Sequence, residues 1–402
     1  MFVFSISTVQ SQWVPQTSGT TSQLYSVSAV DNNIAWICGA SGTVLRTTNG
    51  GDNWFNASSP PIVNDVYNIF GIDECTALVT RSTSTEALVW KTTNCGVTWI
   101  EVFNLPMGYI NAIEIGPGGS GLMVGNPLFG KWSIWRTADY GTTWDSSGVF
   151  LTQAGTEAGH RNSLYASGSS YWFGTNNNRI YHTSNSGVTW TAQPTPDLYS
   201  YAIWFNSSVG LAGGIGGMKT TNGGTNWVAS TFPGSSSINS IAGTGSTFWI
   251  SRNNSAIYKT TNAGENWTTD YTAPQIVLDI AIARNGNRLW AIGLNGFISR
   301  SEGTVSINNI SSNIPDKYSL SQNYPNPFNP TTKIKFDIVK SDFATLKVFN
   351  STGQEVSRLV EQNLQPGTYE VSFDGGSLTS GIYFYTIHTG DFMKTKKMVL
   401  VK

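Results

Sequence analysis

Three carboxylates in this chain are candidates for acid and base chemistry. When the repeated segments are aligned, one position carries a small polar residue in every unit: Ser26, Asp65, Asn111, Ser163, Ser200, Asn239 and Asp279. Two carboxylates that face one cleft about 5 to 10 Å apart can cleave a glycosidic bond, and Asp65 and Asp279 are candidates for such a pair, with Glu157 as the third. A polar residue repeated in every unit could instead cap strand ends through backbone hydrogen bonds, which is a structural role.

The longest insertion between repeats carries further candidate residues. Its sequence is GVFLTQAGTEAGHRN, at 148–162. Long loops on rigid scaffolds frequently hold binding sites. Together with adjacent loops it offers aromatic, amide and guanidinium groups that suit a sugar or peptide ligand. The predicted ligand-binding residues are Trp132, Glu157, His160, Arg161, Arg179 and Arg252.

The alternative for each of these residues is a solvated loop position with no ligand. The chain shows no metal-ligand spacing, no phosphate-binding glycine loop and no Ser/His/Asp order. The sequence therefore predicts no cofactor and no metal site. The formal net charge is -1 and there is no basic block, which gives no electrostatic footprint for nucleic acid.

A repeated eight-residue frame indicates the elements that position these groups. It reads Thr-x-Asn/Asp-x-Gly-x-x-Trp and occurs six times, with tryptophans 37 to 46 residues apart. The amide or carboxylate can bond backbone N–H groups across a tight turn, the glycine can adopt positive φ, and the tryptophan buries a large ring at the start of the next strand. The residues concerned are Asn49, Gly51, Trp54, Asn94, Gly96, Trp99, Asp139, Gly141, Trp144, Asn185, Gly187, Trp190, Asn222, Gly224, Trp227, Asn262, Gly264 and Trp267.

Each repeat reads as four short strands. The first contains LYSVSAV, IAWICGA, GTVLRTT and NWFNAS, separated by turn residues. A period near 40 residues with four strands is typical of a β-propeller blade. The seventh unit lacks its outer strand, whereas QWVPQTSG at 12–19 looks like an outer strand without a preceding turn. The sequence therefore predicts an all-β chain with a seven-bladed β-propeller over residues 12–303, closed by its amino-terminal strand.

The turn frame resembles the Asp-box, or bacterial neuraminidase repeat, with Asn in place of Asp in five copies. The wider pattern, over residues 12–303, also resembles photosystem II assembly-factor propellers and other sialidase-like repeat proteins. In the Asp-box family the box lies on the outer rim, away from the active site, so the resemblance implies a structural role for it. The arginine cluster and the Arg-Ile-Pro stretch of sialidases are absent here.

Two functions remain open for the propeller. The first is a non-catalytic module or scaffold that binds an unknown glycan or surface protein. The second is a glycoside hydrolase that resembles xyloglucanases, which use the same repeats with two aspartates. Those enzymes have two propellers facing one cleft, whereas this sequence contains one.

The carboxyl-terminal part has a different composition. After the polar segment 304–317, predicted to be a linker, come YPNPFNP, several alternating strands and a final KTKKMVLVK. The alternation predicts a small immunoglobulin-like antiparallel β-sandwich. Residues 318–402 resemble the type A C-terminal sorting domain of the type IX secretion system in Bacteroidota. That resemblance implies export through the periplasm to the outer surface of a Gram-negative cell, with the secretion machinery as partner of residues 318–402. An ordinary immunoglobulin-like adhesion domain is the alternative.

The remaining features concern export and cysteines. Residues 1–11 are apolar and poor in charge, as in the remnant of a signal peptide, although they could also be an ordinary first strand. The sequence contains no transmembrane span. Secretion would permit disulfides. Cys75 and Cys95 fall at the same edge of the second blade and are predicted to pair, and Cys38 is predicted to be a buried free thiol.

Overall fold

The computed structural model describes residues 13–284, 287–301, 307–311, 313–375 and 378–401. The chain divides into two compact units, the first extending to residue 302 apart from 285–287, and the second beginning at 303. The predicted signal-peptide remnant, residues 1–11, lies outside the described residues, as do residues 304–306 and 312 of the predicted linker.

The described part of the first unit contains 27 strands in seven small antiparallel sheets. In chain order they are β1 (Trp13–Gln16), β2 (Leu24–Ala29), β3 (Ala35–Gly39), β4 (Val44–Thr47), β5 (Phe55–Asn56), β6 (Asn68–Gly71), β7 (Ala77–Ser82), β8 (Glu86–Thr92), β9 (Ile100–Pro106), β10 (Ile110–Ile115), β11 (Gly121–Leu128), β12 (Lys131–Thr137), β13 (Gly159–Ser167), β14 (Ser170–Thr175), β15 (Arg179–Thr183), β16 (Thr191–Pro194), β17 (Ala202–Asn206), β18 (Val209–Gly213), β19 (Gly217–Thr220), β20 (Val228–Ser230), β21 (Ile238–Thr244), β22 (Thr247–Arg252), β23 (Ala256–Thr260), β24 (Thr268–Thr272), β25 (Val277–Ile282), β26 (Leu289–Gly293) and β27 (Ile298–Ser301).

The seven sheets form a closed ring. The innermost strands β2, β6, β10, β13, β17, β21 and β25 each contact the innermost strand of the next sheet, and β25 contacts β2. Apolar side chains such as Trp36, Leu78 and Ile250 are fully buried between adjacent sheets. This is the face-to-face packing of a β-propeller, in which the radial arrangement leaves only short outer edges exposed.

The amino-terminal strand closes the ring, as the sequence predicts. β1 pairs antiparallel with β27, with Trp13 opposite Ser301 and Gln16 opposite Ile298. The Trp13 ring stacks on Tyr271 at 5.1 Å, which joins the seventh sheet to the sixth. Because β1 comes from the opposite end of the unit, its pairing removes an open seam.

The third sheet differs from the others because β10, β11 and β12 have no fourth strand among the described residues. Two isolated bridges stand in its place, between Arg136 and Asp145 and between Lys131 and Thr152. The chain therefore follows the sheet edge only through these bridges, and after Thr152 it continues through the rest of the long insertion to β13.

The six repeated turns have one hydrogen-bond pattern. In each, the first Thr hydroxyl donates to the Asn or Asp Oδ1 at 2.8–3.0 Å and accepts from the Gly N–H at 2.8–3.1 Å. The same Oδ1 accepts from the backbone N–H four residues later at 2.9–3.0 Å. The glycines have φ between 73° and 88°, which favours glycine there.

A disulfide joins Cys75, in the turn before β7, to Cys95, in the repeated turn after β8. The backbone N–H of Cys95 also donates to the Cys75 carbonyl at 2.9 Å. Cys38 on β3 is a buried free thiol. The disulfide therefore links two turns of the second sheet.

The second unit is a sandwich of two four-stranded sheets, β28-β33-β30-β29 and β32-β31-β34-β35. Its strands are β28 (Ile307–Ser311), β29 (Ser319–Leu320), β30 (Thr331–Ile338), β31 (Asp342–Phe349), β32 (Glu355–Leu364), β33 (Gly367–Asp374), β34 (Gly381–Thr389) and β35 (Phe392–Leu400).

Alternating apolar residues from both sheets form the core of this sandwich, with Ile334, Phe336, Leu346 and Tyr385 fully buried. The structure differs from the sequence prediction in one segment. Residues 307–311, predicted to be linker, form β28 because they pair with the edge of β33. Polar residues can occupy such an edge strand because only one of its sides is hydrogen-bonded to the sheet.

Candidate functional site

Two kinds of loop meet at one end of the ring. Because the strands of each sheet alternate in direction, the connections into the innermost strands lie at the same end as the turns between second and third strands. The six repeated turns, which follow third strands, lie at the opposite end. The long insertion is a connection into an innermost strand, so its predicted binding residues lie at the end opposite the repeated turns. We call this end the mouth face.

The end of the insertion forms a bulge of four residues at the start of β13. β13 pairs with β14 through Gly159 and Thr175, and next through Leu164 and Phe173. Residues 160–163 therefore oppose a single residue of β14, which makes an unusually large bulge. Asn162 within this bulge has φ 59°, in the left-handed region that Asn tolerates well.

Asn162 connects four sheets across the central channel. Its amide N–H donates to the Asp279 carboxylate of β25 at 3.2 Å. Its amide oxygen accepts from the Ser26 hydroxyl of β2 at 3.4 Å and from the Asn68 amide of β6. We call this side chain the plug, because its hydrogen bonds bridge the channel from the fourth sheet to the first, second and seventh sheets.

Arg161 lies beside the plug. Its guanidinium carbon is 5.3 Å from the ring centroids of both Tyr25 and Tyr67. Those two rings are 5.4 Å apart. A cation over aromatic faces is attracted by the ring quadrupoles, which fixes its position.

His160 lies beside another pair of tyrosines. Its ring stacks on Tyr201 at 4.0 Å, and Tyr201 lies 5.4 Å from Tyr199. Burial lowers the pKa of His160 to about 4, although its hydrogen bond to the Arg161 carbonyl opposes this change. The imidazole is therefore neutral at neutral pH.

The tyrosines of this region were not among the binding residues predicted from the sequence. Tyr109 directly precedes β10, as Tyr67 and Tyr201 directly precede their own innermost strands, so it lies at the mouth face, and burial raises its pKa. We call the group the tyrosine mouth, and it consists of Tyr25, Tyr67, Tyr109, His160, Arg161, Tyr199 and Tyr201, all half-buried. The sequence does contain a pattern that indicates them, because four innermost strands have a tyrosine within two residues of their first residue. Alignment of the blades by strand register would have revealed it.

Strand register corrects the predicted polar position. Ser26 pairs with Cys38, Asn68 with Thr80 and Asp279 with Ile292 at equivalent places in their sheets. Asp65 lies three residues before Asn68, so it is not equivalent to Asp279. The equivalent residues in the seven sheets are Ser26, Asn68, Ala112, Ser163, Ala202, Ser240 and Asp279. The sequence alignment also misplaced Asn111, Ser200 and Asn239. Bulges near the starts of several innermost strands add residues there, so equal spacing along the sequence does not give equivalent positions in the sheets.

Asp65 and Asp279 have different surroundings. The Asp65 carboxylate accepts from the Ser41 backbone N–H at 2.9 Å and lies 3.3 Å from the Tyr25 hydroxyl. Asp279 is 5% exposed and accepts from the Val27 and Ile280 backbone N–H groups at 3.0 and 2.9 Å. Burial raises the pKa of Asp279 to about 7, although these donors oppose the rise.

Glu157 and Trp132 were predicted to face a ligand, but the structure buries both. The Glu157 carboxylate accepts from the Tyr181 hydroxyl at 2.6 Å and the Trp132 indole at 3.2 Å. It also pairs with the Arg179 guanidinium at 3.4 Å. Trp132 belongs to the third sheet and Tyr181 and Arg179 to the fourth, so Glu157 holds the insertion against both. A buried carboxylate requires such partners.

Arg252 is also buried, with 2% of its surface exposed. Its guanidinium donates to the Ser236 carbonyl, and burial lowers its pKa. Of the six predicted ligand-binding residues, the structure brings together only His160 and Arg161 at the tyrosine mouth.

The opposite end of the channel contains a second arginine. Arg284 donates to the Ser28 hydroxyl at 3.0 Å and lies 4.4 Å from the Phe70 ring centroid. Glu114 of β10 is half-buried nearby, and its burial raises its pKa to about 7 while the Arg284 charge opposes the rise.

Comparison with known families identifies the carboxyl-terminal part of the chain. Residues 322–402 match the family described as secretion system C-terminal sorting domain. Together with the sequence resemblance to type IX sorting domains, this match establishes the chain as cargo for the type IX machinery, delivered to the outer cell surface or the extracellular space. In the part of the chain that the structure describes, no helix has the length and apolarity needed to cross a bilayer.

Comparison with solved structures identifies the fold of the first unit. YCF48 bound to D1 peptide is similar with a TM-score of 0.57 and 18% identity, covering 72% of this chain and 96% of that one. YCF48 from Cyanidioschyzon merolae gives 0.56 and 18%, covering 72% and 98%. Virginiamycin B lyase from Staphylococcus aureus gives 0.54 and 16%, covering 72% and 97%. At these identities the likeness shows a shared β-propeller fold. No curated protein sequence matches the chain.

Proposed function

We propose that this exported type IX cargo is a recognition protein that binds a glycan at the tyrosine mouth without cleaving it. The observation that supports this proposal is the convergence of five tyrosines, His160 and Arg161 around the plugged channel. Half-buried tyrosine rings offer flat apolar faces and hydroxyl groups together, a combination that suits sugar rings with their hydroxyl rims.

The structure of the mouth favours a ligand that is bound by the protein's side chains over a peptide that is bound through backbone hydrogen bonds. A peptide that binds as an added strand needs an exposed sheet edge. Each innermost strand is the edge strand of its sheet, but that edge faces the channel, where Asn162 bonds to side chains of β2, β6 and β25. YCF48 has a similar fold and its structure contains a peptide, so peptide binding is the competing outcome for the test.

The positions of the candidate carboxylates support binding without hydrolysis. Glu157 is buried and paired, Asp279 lies beneath the Asn162 plug, and Asp65 is bonded to a backbone N–H. A glycosidase requires two carboxyl groups that reach one glycosidic bond from opposite sides. The glycoside hydrolase alternative would need the Asp279 site to open.

The test is a glycan array and a polysaccharide-hydrolysis assay on the full chain. Tyr67→Ala and Tyr201→Ala are expected to abolish glycan binding, since each removes one aromatic face of the mouth. Tyr140→Ala is the matched control, because Tyr140 is exposed in a repeated turn at the opposite end of the ring. Binding of a peptide library with no glycan bound would overturn the proposal, and release of sugar products would overturn its non-catalytic part.

A further inference from the structure

The tyrosine mouth contains a cation without a partner anion. Arg161 is half-buried, and two tyrosine faces hold its guanidinium. Among the described residues, no carboxylate lies within 4.0 Å of its nitrogens. A partly desolvated guanidinium without a carboxylate partner is favourably placed to receive an anion from a ligand.

The neighbouring carboxylates do not form an ion pair with this charge, although the Arg161 charge acts on Asp279 and opposes the rise in its pKa. His160 is neutral at neutral pH because burial lowers its pKa to about 4. Asp279 lies below the plug and directs its carboxylate to Val27, Ile280 and Asn162. Asp65 is half-buried, and its two oxygens accept from the Ser41 backbone N–H and the Tyr25 hydroxyl.

We propose that the tyrosine mouth recognises an acidic sugar, whose carboxylate pairs with Arg161 while the tyrosines contact the sugar ring. This inference rests on the proposed glycan-binding function and specifies its ligand class as a polysaccharide that contains uronic acid. A planar guanidinium presents a fork that matches a carboxylate through two parallel hydrogen bonds. The tyrosines fix the fork in advance, which reduces the entropy lost on binding.

The experiment uses titration calorimetry of the full chain with oligogalacturonate and with neutral galacto-oligosaccharide of equal length. We expect the acidic ligand to bind roughly 10- to 100-fold more tightly, the range for hydrogen bonds to a charged group. High salt should reduce this preference, because the interaction is electrostatic.

Four variants test the role of Arg161. Arg161→Gln should abolish the preference, and Arg161→Lys should retain only part of it, because it keeps the charge without the fork. Asp65→Asn should strengthen acidic binding, since it removes a negative charge bonded to Tyr25, whose ring contacts Arg161, and keeps an oxygen for the Ser41 N–H. Arg46→Gln removes a charge at the opposite end, where Arg46 pairs with Glu74 at 3.6 Å, and should have no effect.

The binding of acidic and neutral sugars distinguishes failure of this inference from failure of the proposed function. Equal binding of acidic and neutral sugars, unchanged in Arg161→Gln, overturns the inference and leaves glycan recognition standing. Failure to bind any glycan overturns the proposed function itself. Circular dichroism shows whether Arg161→Gln folds. If it does not, the Arg161→Lys variant still tests the inference: a full preference for the acidic ligand that does not change with salt concentration would contradict it.

Discussion

Asn162 and Asp279 form a hydrogen bond of 3.2 Å across the centre of the ring, between the fourth and the seventh sheets. Residues 117 positions apart in sequence thereby bridge the channel. Together with the Val27 and Ile280 backbone N–H groups, this bond surrounds the carboxylate of Asp279, the predicted catalytic aspartate, which is 5% exposed.

Removing the plug should destabilise the propeller. Asn162→Ala loses the hydrogen bonds to Asp279, Ser26 and Asn68 and replaces Asn in the left-handed region. We expect about 1–3 kcal/mol of lost stability, because buried polar partners are left unsatisfied. Thermal unfolding followed by tryptophan fluorescence measures it. Asn178→Ala, in an exposed turn, is the control, and equal losses in the two variants would contradict a bridging role for Asn162.

The pKa of Glu114 should give the propeller a pH-dependent stability. Its value of about 7 in the folded protein exceeds the ordinary 4.5, so the folded state holds this proton more tightly than the unfolded chain. Stability should therefore fall as pH rises from about 4.5 to 7 and level off above, by on the order of 2 kcal/mol relative to Glu114→Gln.

Denaturant unfolding at pH 4.5, 6 and 8 measures this effect. Glu101→Gln is the matched control because Glu101 is exposed on β9. Parallel pH profiles for the wild type and Glu114→Gln would show that the carboxyl titrates normally.

The repeated turns should depend on their first threonine more than on their exposed residues. Thr220→Val preserves side-chain volume but removes the bonds to Asn222 and Gly224, at 2.9 and 3.0 Å. We expect a loss of about 1–3 kcal/mol in the unfolding free energy. Thr225→Val, at an exposed position of the same turn, should cost less, and the reverse order would refute this reading of the frame.

The disulfide should stabilise the second sheet. Mass spectrometry of the unreduced protein should find Cys75 and Cys95 protected from alkylation, whereas Cys38 reacts only after unfolding because it is buried. Replacing both paired cysteines with serine should cost about 3 kcal/mol, as expected for a loop of this length. Alkylation of both Cys75 and Cys95 without reduction would exclude the bond.

Sequence alone predicted features that contiguous residues encode. Thr220, Asn222, Gly224 and Trp227 form their turn through contacts at most a few positions apart, so the frame indicates the fold wherever it occurs. The closing strand was also predictable, because an outer strand missing at one end was matched by a spare one at the other. The sorting domain carries its own local pattern.

Only the tertiary structure decided what lies at the mouth. Tyr25, Tyr67 and Tyr201 belong to different blades, and only closure of the ring brings them beside the bulge that holds His160 and Arg161. The same packing buried Glu157 and Arg252, which as isolated loop residues resembled binding groups. Local turn chemistry is specified within a few residues, whereas burial and convergence depend on which distant segments meet, and that depends on the register of every blade.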